Sequence, residues 1–219
     1  LKDHYLDRFA EIIDDIRANF DGEIVWGQIG NVTNDERIFS RIDSILVNAM
    51  NPNGSTIFTE EENANLTPEL IKEKTLKSLE DMRTQIYCLD IHQPCWHGKS
   101  DIELPVILNV MVQSRDDFFL KGWKEDGFCT SGTLENGDET GCIQQSFVTD
   151  FSVQAIGIEG IMRAIAEQNT FEINSVDMHT SYWLSETLVP GKEGFPNISQ
   201  SVRGKSAESV LKYWYTGEE

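Results

Sequence analysis

The 219-residue chain is 39% hydrophobic, 10% aromatic and 25% charged, a balance that fits a globular protein with a sizeable core and not a disordered one. Its formal net charge of -19, from 37 acidic against 18 basic residues, repels a phosphate backbone and an anionic membrane. Nucleic acid is therefore not an expected partner, and no apolar run approaches the ~20 residues of a membrane span.

Residues 5 to 20, "YLDRFAEIIDDIRANF", set Leu6, Phe9, Ile12, Ile13, Ile16 and Phe20 at helical spacing, which predicts a first helix with these on its buried face. Asp21-Gly22 ends it, and "EIVWGQI" reads as a short strand. "NDERIFSR" is long enough for one or two helical turns. "IDSILVNAM" is apolar almost throughout, the pattern of a strand buried on both faces of a parallel sheet. In "NLTPELIKEKTLKSLEDMRTQIYCL", Thr67 is a good N-cap, Pro68 takes the first helical position and Glu69 the first turn. Leu70, Ile71, Leu76, Leu79, Met82 and Ile86 form that helix's apolar stripe.

"LPVILNVMVQSRDDFF", residues 104 to 119, is the third strand, and Asn109 is its only polar residue between Pro105 and Gln113. "DFSVQAIGIEGIMRAIAEQN" reads as a helix whose Gly157 and Gly160 either weaken it or mark close packing. "FEINSVDMHTSYWL" is a fourth strand running into a loop, and "GKSAESVLKYWY" a final amphipathic helix.

A helix followed by four β–α units predicts an α/β fold with a parallel sheet, taken as one unit over residues 1–219. An open parallel sheet and half of an eight-stranded barrel compete. No G-x-G-x-x-G follows a strand, and "GQIGN" is not a phosphate loop, so nucleotide-dependent chemistry lacks its motif and no cofactor is expected. Half a barrel leaves two raw sheet edges, so a further piece of the protein or a partner chain should cover them.

Cys88, Cys95, Cys129 and Cys142 all fall in or beside loop-like sequence. Pairing of Cys129 with Cys142 and of Cys88 with Cys95 is the preferred reading. Zinc competes because His92 and His97 lie beside the first pair, but paired C-x-x-C elements are missing. Asn31, Asn53, Asn65 and Asn197 each begin an acceptor sequon for N-linked glycans. Cysteines and sequons together point to a secreted or cell-surface protein.

The segments "NFDGEIVWGQIGN", "RIDSILVNAM", "LTPELIKEKTLKSLEDM", "LPVILNVMVQS", "VQAIGIEGIMRAIAE" and "SVRGKSAESVLKYWY", in that order, resemble the C-terminal half of a clan A glycoside hydrolase barrel, in particular family 113 mannanase-like proteins. In such proteins a "G-K-P-A-E-x-V-L-x-x-W-Y" tail closes the last helix; here Gly204, Lys205, Ser206, Ala207, Glu208, Val210, Leu211, Trp214 and Tyr215 match it, with Ser206 in place of proline. The resemblance implies two catalytic carboxylates. It places the acid/base upstream of residue 1 and the nucleophile near the end of "PVILNVMVQS", where this chain holds Asn109, Val110 and Met111. None of these attacks an anomeric carbon.

The resemblance thus implies a carbohydrate partner and the other half of the barrel, with a degenerate catalytic site acting as a glycan-binding or structural surface protein. The alternative is an active glycosidase that draws its acids from upstream and from Asp177 or Glu186. Gln28, Asn48, Asn109, Gln113, Asp177, Trp183 and Glu186 are the candidate substrate-binding residues, near strand ends where barrels build their sites. Asp116 and Asp117 read as a solvated helix or loop start, Trp26 and Tyr182 as packing or sugar-stacking aromatics, and His179 as a satisfied polar residue. "ENGDET" offers oxygen ligands without the full calcium-loop pattern, and no metal is assigned.

Overall fold

A computed structural model of the chain describes residues 3–27, 35–49, 58–87, 102–122, 129–133, 139–144, 147–178, 188–190 and 197–218, the two strands 129–133 and 139–144 by their backbone alone. The chain divides into two compact units interleaved in sequence: residues 1–50, 75–110 and 165–177 form the first, and 51–74, 111–164 and 178–219 the second.

The first unit holds α1 (Asp3–Arg17), β1 (Val25–Gly27), α2 (Glu36–Phe39), β2 (Ser44–Asn48) and β3 (Val106–Val110). Strands β1, β2 and β3 are joined by β6 (Ile173–Met178) in one parallel sheet of order β1-β2-β3-β6. Register is fixed by Trp26 opposite Ile45, Ile45 opposite Val106, and Asn48 opposite Asn109. Because side chains alternate along a strand, Trp26, Ile45, Val47, Val106 and Leu108 share one face. That face turns to α1, since the Phe9 ring meets Trp26 edge-on at 5.4 Å. Ile45, Val106 and Leu108 are fully buried, each contributing about 1.5–3 kcal/mol of hydrophobic stabilisation.

Helix α1 corrects the expected stripe. Leu6, Ala10 and Ile13 are its buried residues, while Ile12, Ile16 and Phe20 are exposed. Ion pairs fix it laterally: Arg37 meets Asp7 at 2.8 Å and Arg41 meets Asp14 at 2.9 Å. At its end Arg17 donates to the Gly22 carbonyl and to Asp43, which also accepts from the Ile24 N–H, tying the starts of β1 and β2 together.

The opposite face of the sheet is polar at both ends. At the amino end Glu23 Oε1 accepts from Ser44 Oγ and from Asn174 Nδ2, each at 2.6 Å. Ser44 and Asn174 belong to β2 and β6, with β3 between them. One carboxylate oxygen thus bridges the side chains of two strands that are not neighbours, as suits a sheet curling toward the Glu23 face.

The second unit carries α3 (Glu60–Ala64), α5 (Phe118–Lys121), the antiparallel pair β4 (Cys129–Thr133) and β5 (Glu139–Gln144), and α7 (Ser206–Thr216). Helices α4 (Pro68–Ile86) and α6 (Phe151–Glu167) each have residues in both units. Thr67 Oγ1 accepts from the Leu70 N–H, so α4 is capped as its sequence predicts. Helix α3 went unread although Thr59 and Glu62 form a complete capping box.

The α6 glycines mark close approach. A Cβ on Gly157 would stand 2.6 Å from the Phe119 ring, and one on Gly160 would stand 2.6 Å from the Pro68 carbonyl oxygen. The expected glycine-rich loop after residue 129 is instead the β4–β5 hairpin, whose register sets Cys129 opposite Gln144.

Candidate functional site

Eight-stranded barrels build their sites at the carboxyl ends of the strands, on the interior side. On the curled face of this sheet those ends hold Asn48 and Asn109. Asn109 Nδ2 donates to Asn48 Oδ1 at 2.9 Å, and the Ala49 N–H donates to the Asn109 carbonyl. The local sequence dictates this placement. Asn48 lies three residues past Ile45 and Asn109 three past Val106, an odd step that turns both away from the α1 face. Asn109 is 7% exposed, yet its Oδ1 has no hydrogen-bond partner among the described residues. A neutral amide pair recognises hydroxyls and holds water, but it neither attacks a carbon nor transfers a proton at ordinary pH.

The polar run after β3 serves the second unit's structure. Gln113 is buried, and its Oε1 accepts from Arg115 at 3.1 Å. Arg115 is fully buried, stacks over the Phe147 ring at 4.2 Å and donates to Asp117 through two nitrogens at 2.9 and 2.6 Å. Burial pushes the Asp117 carboxyl up, but Arg115 and Lys121 outweigh this and hold it below the usual carboxylate range. Asp117 is thus a structural anion. Asp116 is exposed, and its pKa is raised by partial burial and then by the Asp117 charge.

A buried polar knot follows. Lys205 Nζ donates to Ser114 Oγ at 2.9 Å and to the Ser199 carbonyl at 3.0 Å, and Ser114 Oγ bonds the Asn197 carbonyl. Gln154 Nε2 lies 2.9 Å from the Val112 carbonyl and 3.1 Å from that of Gln200. Several residues of the tail motif have packing roles here. Gly204 takes φ +74, which suits glycine, and its N–H donates to Glu208. Ser206 Oγ donates to the Phe151 carbonyl, Ala207 is fully buried, and Trp214 Nε1 donates to Glu159 at 2.7 Å.

Of the other candidates, Asp177 lies exposed near the carboxyl end of β6. Of its two readings Trp26 takes the packing one: its ring meets Phe9 in the helix layer, away from the Asn48–Asn109 face. Gln28, Asn31, Asn53, Cys88, His92, Cys95, His97, His179, Tyr182, Trp183 and Glu186 lie outside the described residues, as do the side chains of Cys129 and Cys142 and most of "ENGDET". Asn65 is exposed at the end of α3. Asn197 is 6% exposed, its Nδ2 donating to the Val189 carbonyl and its Oδ1 accepting the Val189 N–H, each at 2.9 Å. An amide held so does not present itself to solvent in the folded chain.

A cavity of about 580 Å³ lies elsewhere, lined by Glu80, Arg83, Glu103, Asn169 and Glu172 among others. Glu103 precedes β3 and Glu172 precedes β6, so it opens at the amino ends of the strands, where barrels keep stability and not chemistry. Among the described residues no group of three or more His, Cys, Asp or Glu could hold a metal ion, and no helix is long and apolar enough to cross a membrane.

No protein-family model and no curated protein matches the sequence. Solved structures match the fold, and two of them superpose over nearly the whole chain. One, of a GH113 β-1,4-mannanase complex, superposes with a TM-score of 0.51 at 14% identity, over 97% of this chain and 51% of that one. The other, of a GH113 β-1,4-mannanase, gives 0.51 at 14% identity, over 98% and 52%. The chain is similar in fold to half of a family 113 barrel. It spans about half the length of those structures, and identity this low speaks for the fold alone. Within that half-barrel, Asn48 and Asn109 stand at the carboxyl ends of β2 and β3.

Proposed function

We propose that the chain is the carbohydrate-recognising half of a glycoside-hydrolase-like barrel, in which β3 supplies an amide where the resembled enzymes supply a nucleophilic carboxylate. The carrying observation is the Asn48–Asn109 pair, with the buried Asn109 Oδ1 lacking a partner among the described residues. An orphaned buried carbonyl costs about 1–3 kcal/mol, which a sugar hydroxyl donating to it would offset. The resemblance makes this the C-terminal half, with β3 in the nucleophile-bearing position. The role is binding, on a secreted or surface protein.

Calorimetric titration with β-1,4-linked manno-oligosaccharides tests the reading. Binding weakened at least tenfold by Asn109→Leu, without release of reducing ends, supports it. Hydrolysis abolished by substituting a single carboxylate overturns it. That outcome would favour a second reading, an active glycosidase, for which the exposed Asp177 near the end of β6 is the described carboxylate to substitute first.

A further inference from the structure

The groups around the Asn48–Asn109 pair narrow what it can hold. Asn109 Nδ2 is spent on Asn48 Oδ1, so Asn48 sets which way the Asn109 amide points and leaves its Oδ1 as a buried acceptor. Leu46 and Ile107 stand opposite one another, half-buried, on the same face. They lie two residues before the amides, about 6.6 Å away along the strands. Gly27 of β1 is opposite Leu46, and a Cβ on it would meet only Leu46 Cδ2, at 3.8 Å. Room for a methyl group therefore adjoins the amide pair. No residue of β1, β2 or β3 is charged.

Three kinds of sugar substituent can donate to the Asn109 oxygen, and these surroundings separate them. An ammonium brings three hydrogens and a charge, and with no carboxylate on these strands its loss of water goes uncompensated. A hydroxyl brings one hydrogen, but also an oxygen that seeks donors of its own and nothing for the apolar neighbours to hold. An acetamido group brings an N–H that only donates, with a methyl group close beside it. We infer that this site takes a 2-acetamido sugar, its N–H donating to Asn109 Oδ1 and its methyl lying against Leu46 and Ile107 in the space Gly27 leaves. Asn48 is the positioning residue, acting through the Asn109 amide. The inference rests on the carbohydrate reading and narrows it: plain hexoses reach the same oxygen through a hydroxyl and bind more weakly.

Calorimetric titration of residues 1–219 with β-1,4-linked disaccharides of N-acetylglucosamine, glucosamine and glucose tests it, since these differ only at carbon 2. The acetamido disaccharide should bind more tightly than the other two by about tenfold or more. Asn109→Leu should abolish that preference, and Asn48→Leu should reduce it by freeing the Asn109 amide to turn. Should either substitution prevent folding, Gly27→Val fills the methyl space from the outermost strand. It should weaken the acetamido disaccharide and leave the glucose one unchanged. In the unsubstituted protein, magnetisation transferred from protein methyl groups should reach the acetamido methyl more strongly than any ring proton. Equal or tighter binding of a sugar lacking the acetamido group, or stronger transfer to ring protons, overturns the inference and leaves the carbohydrate reading in place. Failure of all three disaccharides and of manno-oligosaccharides to bind overturns the carbohydrate reading, and this inference with it.

Discussion

Glu23 and Asn174 are joined by a 2.6 Å hydrogen bond across 151 residues of sequence, from just before β1 to the second residue of β6. The same Glu23 oxygen accepts from the fully buried Ser44 hydroxyl, so one carboxylate holds the sheet in its curl. Glu23→Ala should destabilise the chain by about 1–2 kcal/mol, through the lost bonds and the stranded Ser44 hydroxyl. Glu23→Gln, which keeps an acceptor, should cost less. Urea midpoints at constant slope check the order of the two.

Gly160→Ala sets two effects against each other. Alanine raises helix propensity by about 1 kcal/mol, but its Cβ would stand 2.6 Å from the Pro68 carbonyl oxygen and as close to Ile71. Backbone cannot swing aside as a side-chain tip can, so overpacking of about 1–3 kcal/mol should prevail. A lowered thermal midpoint is the expected result, and an unchanged one would place α6 farther from α4.

Acid should weaken the fold through Asp43 and Asp117. Hydrogen bonds from Arg17 and then the Ile24 N–H hold Asp43 below its ordinary 3.8, and Arg115 and Lys121 do the same for Asp117 against the opposing push of burial. A depressed carboxylate pKa contributes stability that is complete above the unfolded value and drains away as pH falls through the folded one. Denaturation midpoints should therefore drop below about pH 4, and Arg17→Met should flatten the Asp43 share of that drop.

Asn109→Glu separates a missing nucleophile from a missing site. The new carboxylate would meet Asn48 on the interior face, where Asn109 now donates at 2.9 Å. Hydrolysis of manno-oligosaccharides by the variant would mean that the nucleophile alone was lost. Silence with binding retained would leave recognition as the role of this face.

Glycan mapping by mass spectrometry of protein from a glycosylating host should find Asn65 occupied and Asn197 empty, because only the first is exposed. Asn197→Gln should cost about 1–3 kcal/mol by breaking the paired bonds to Val189.

The long apolar runs announced their own positions. "IDSILVNAM" and "LPVILNVMVQS" became β2 and β3 because parallel strands buried on both faces need no alternation, and Asn109 stood out as the one polar residue in its run. Helical spacing placed α1 but not its buried face, since Ile12 and Ile16 share its apolar arc with Ile13 while only Ile13 is buried. The β4–β5 hairpin was masked by threonines and glycines that read equally well as loop, and by a register shift between Thr130 and Gly132. Glu23 carried no local signal, because its partners lie on strands two apart in the sheet and far apart in the chain.

The interleaving of the two units bears on how the polypeptide is made. The chain passes between them five times, after residues 50, 74, 110, 164 and 177. During vectorial synthesis the first unit lacks β6 until residue 178 has emerged, and the second lacks the Lys205 knot until residue 205 has emerged. A ribosome stalled before residue 165 would display β3 with no neighbour on one side, an apolar edge open to chaperones and to other nascent chains.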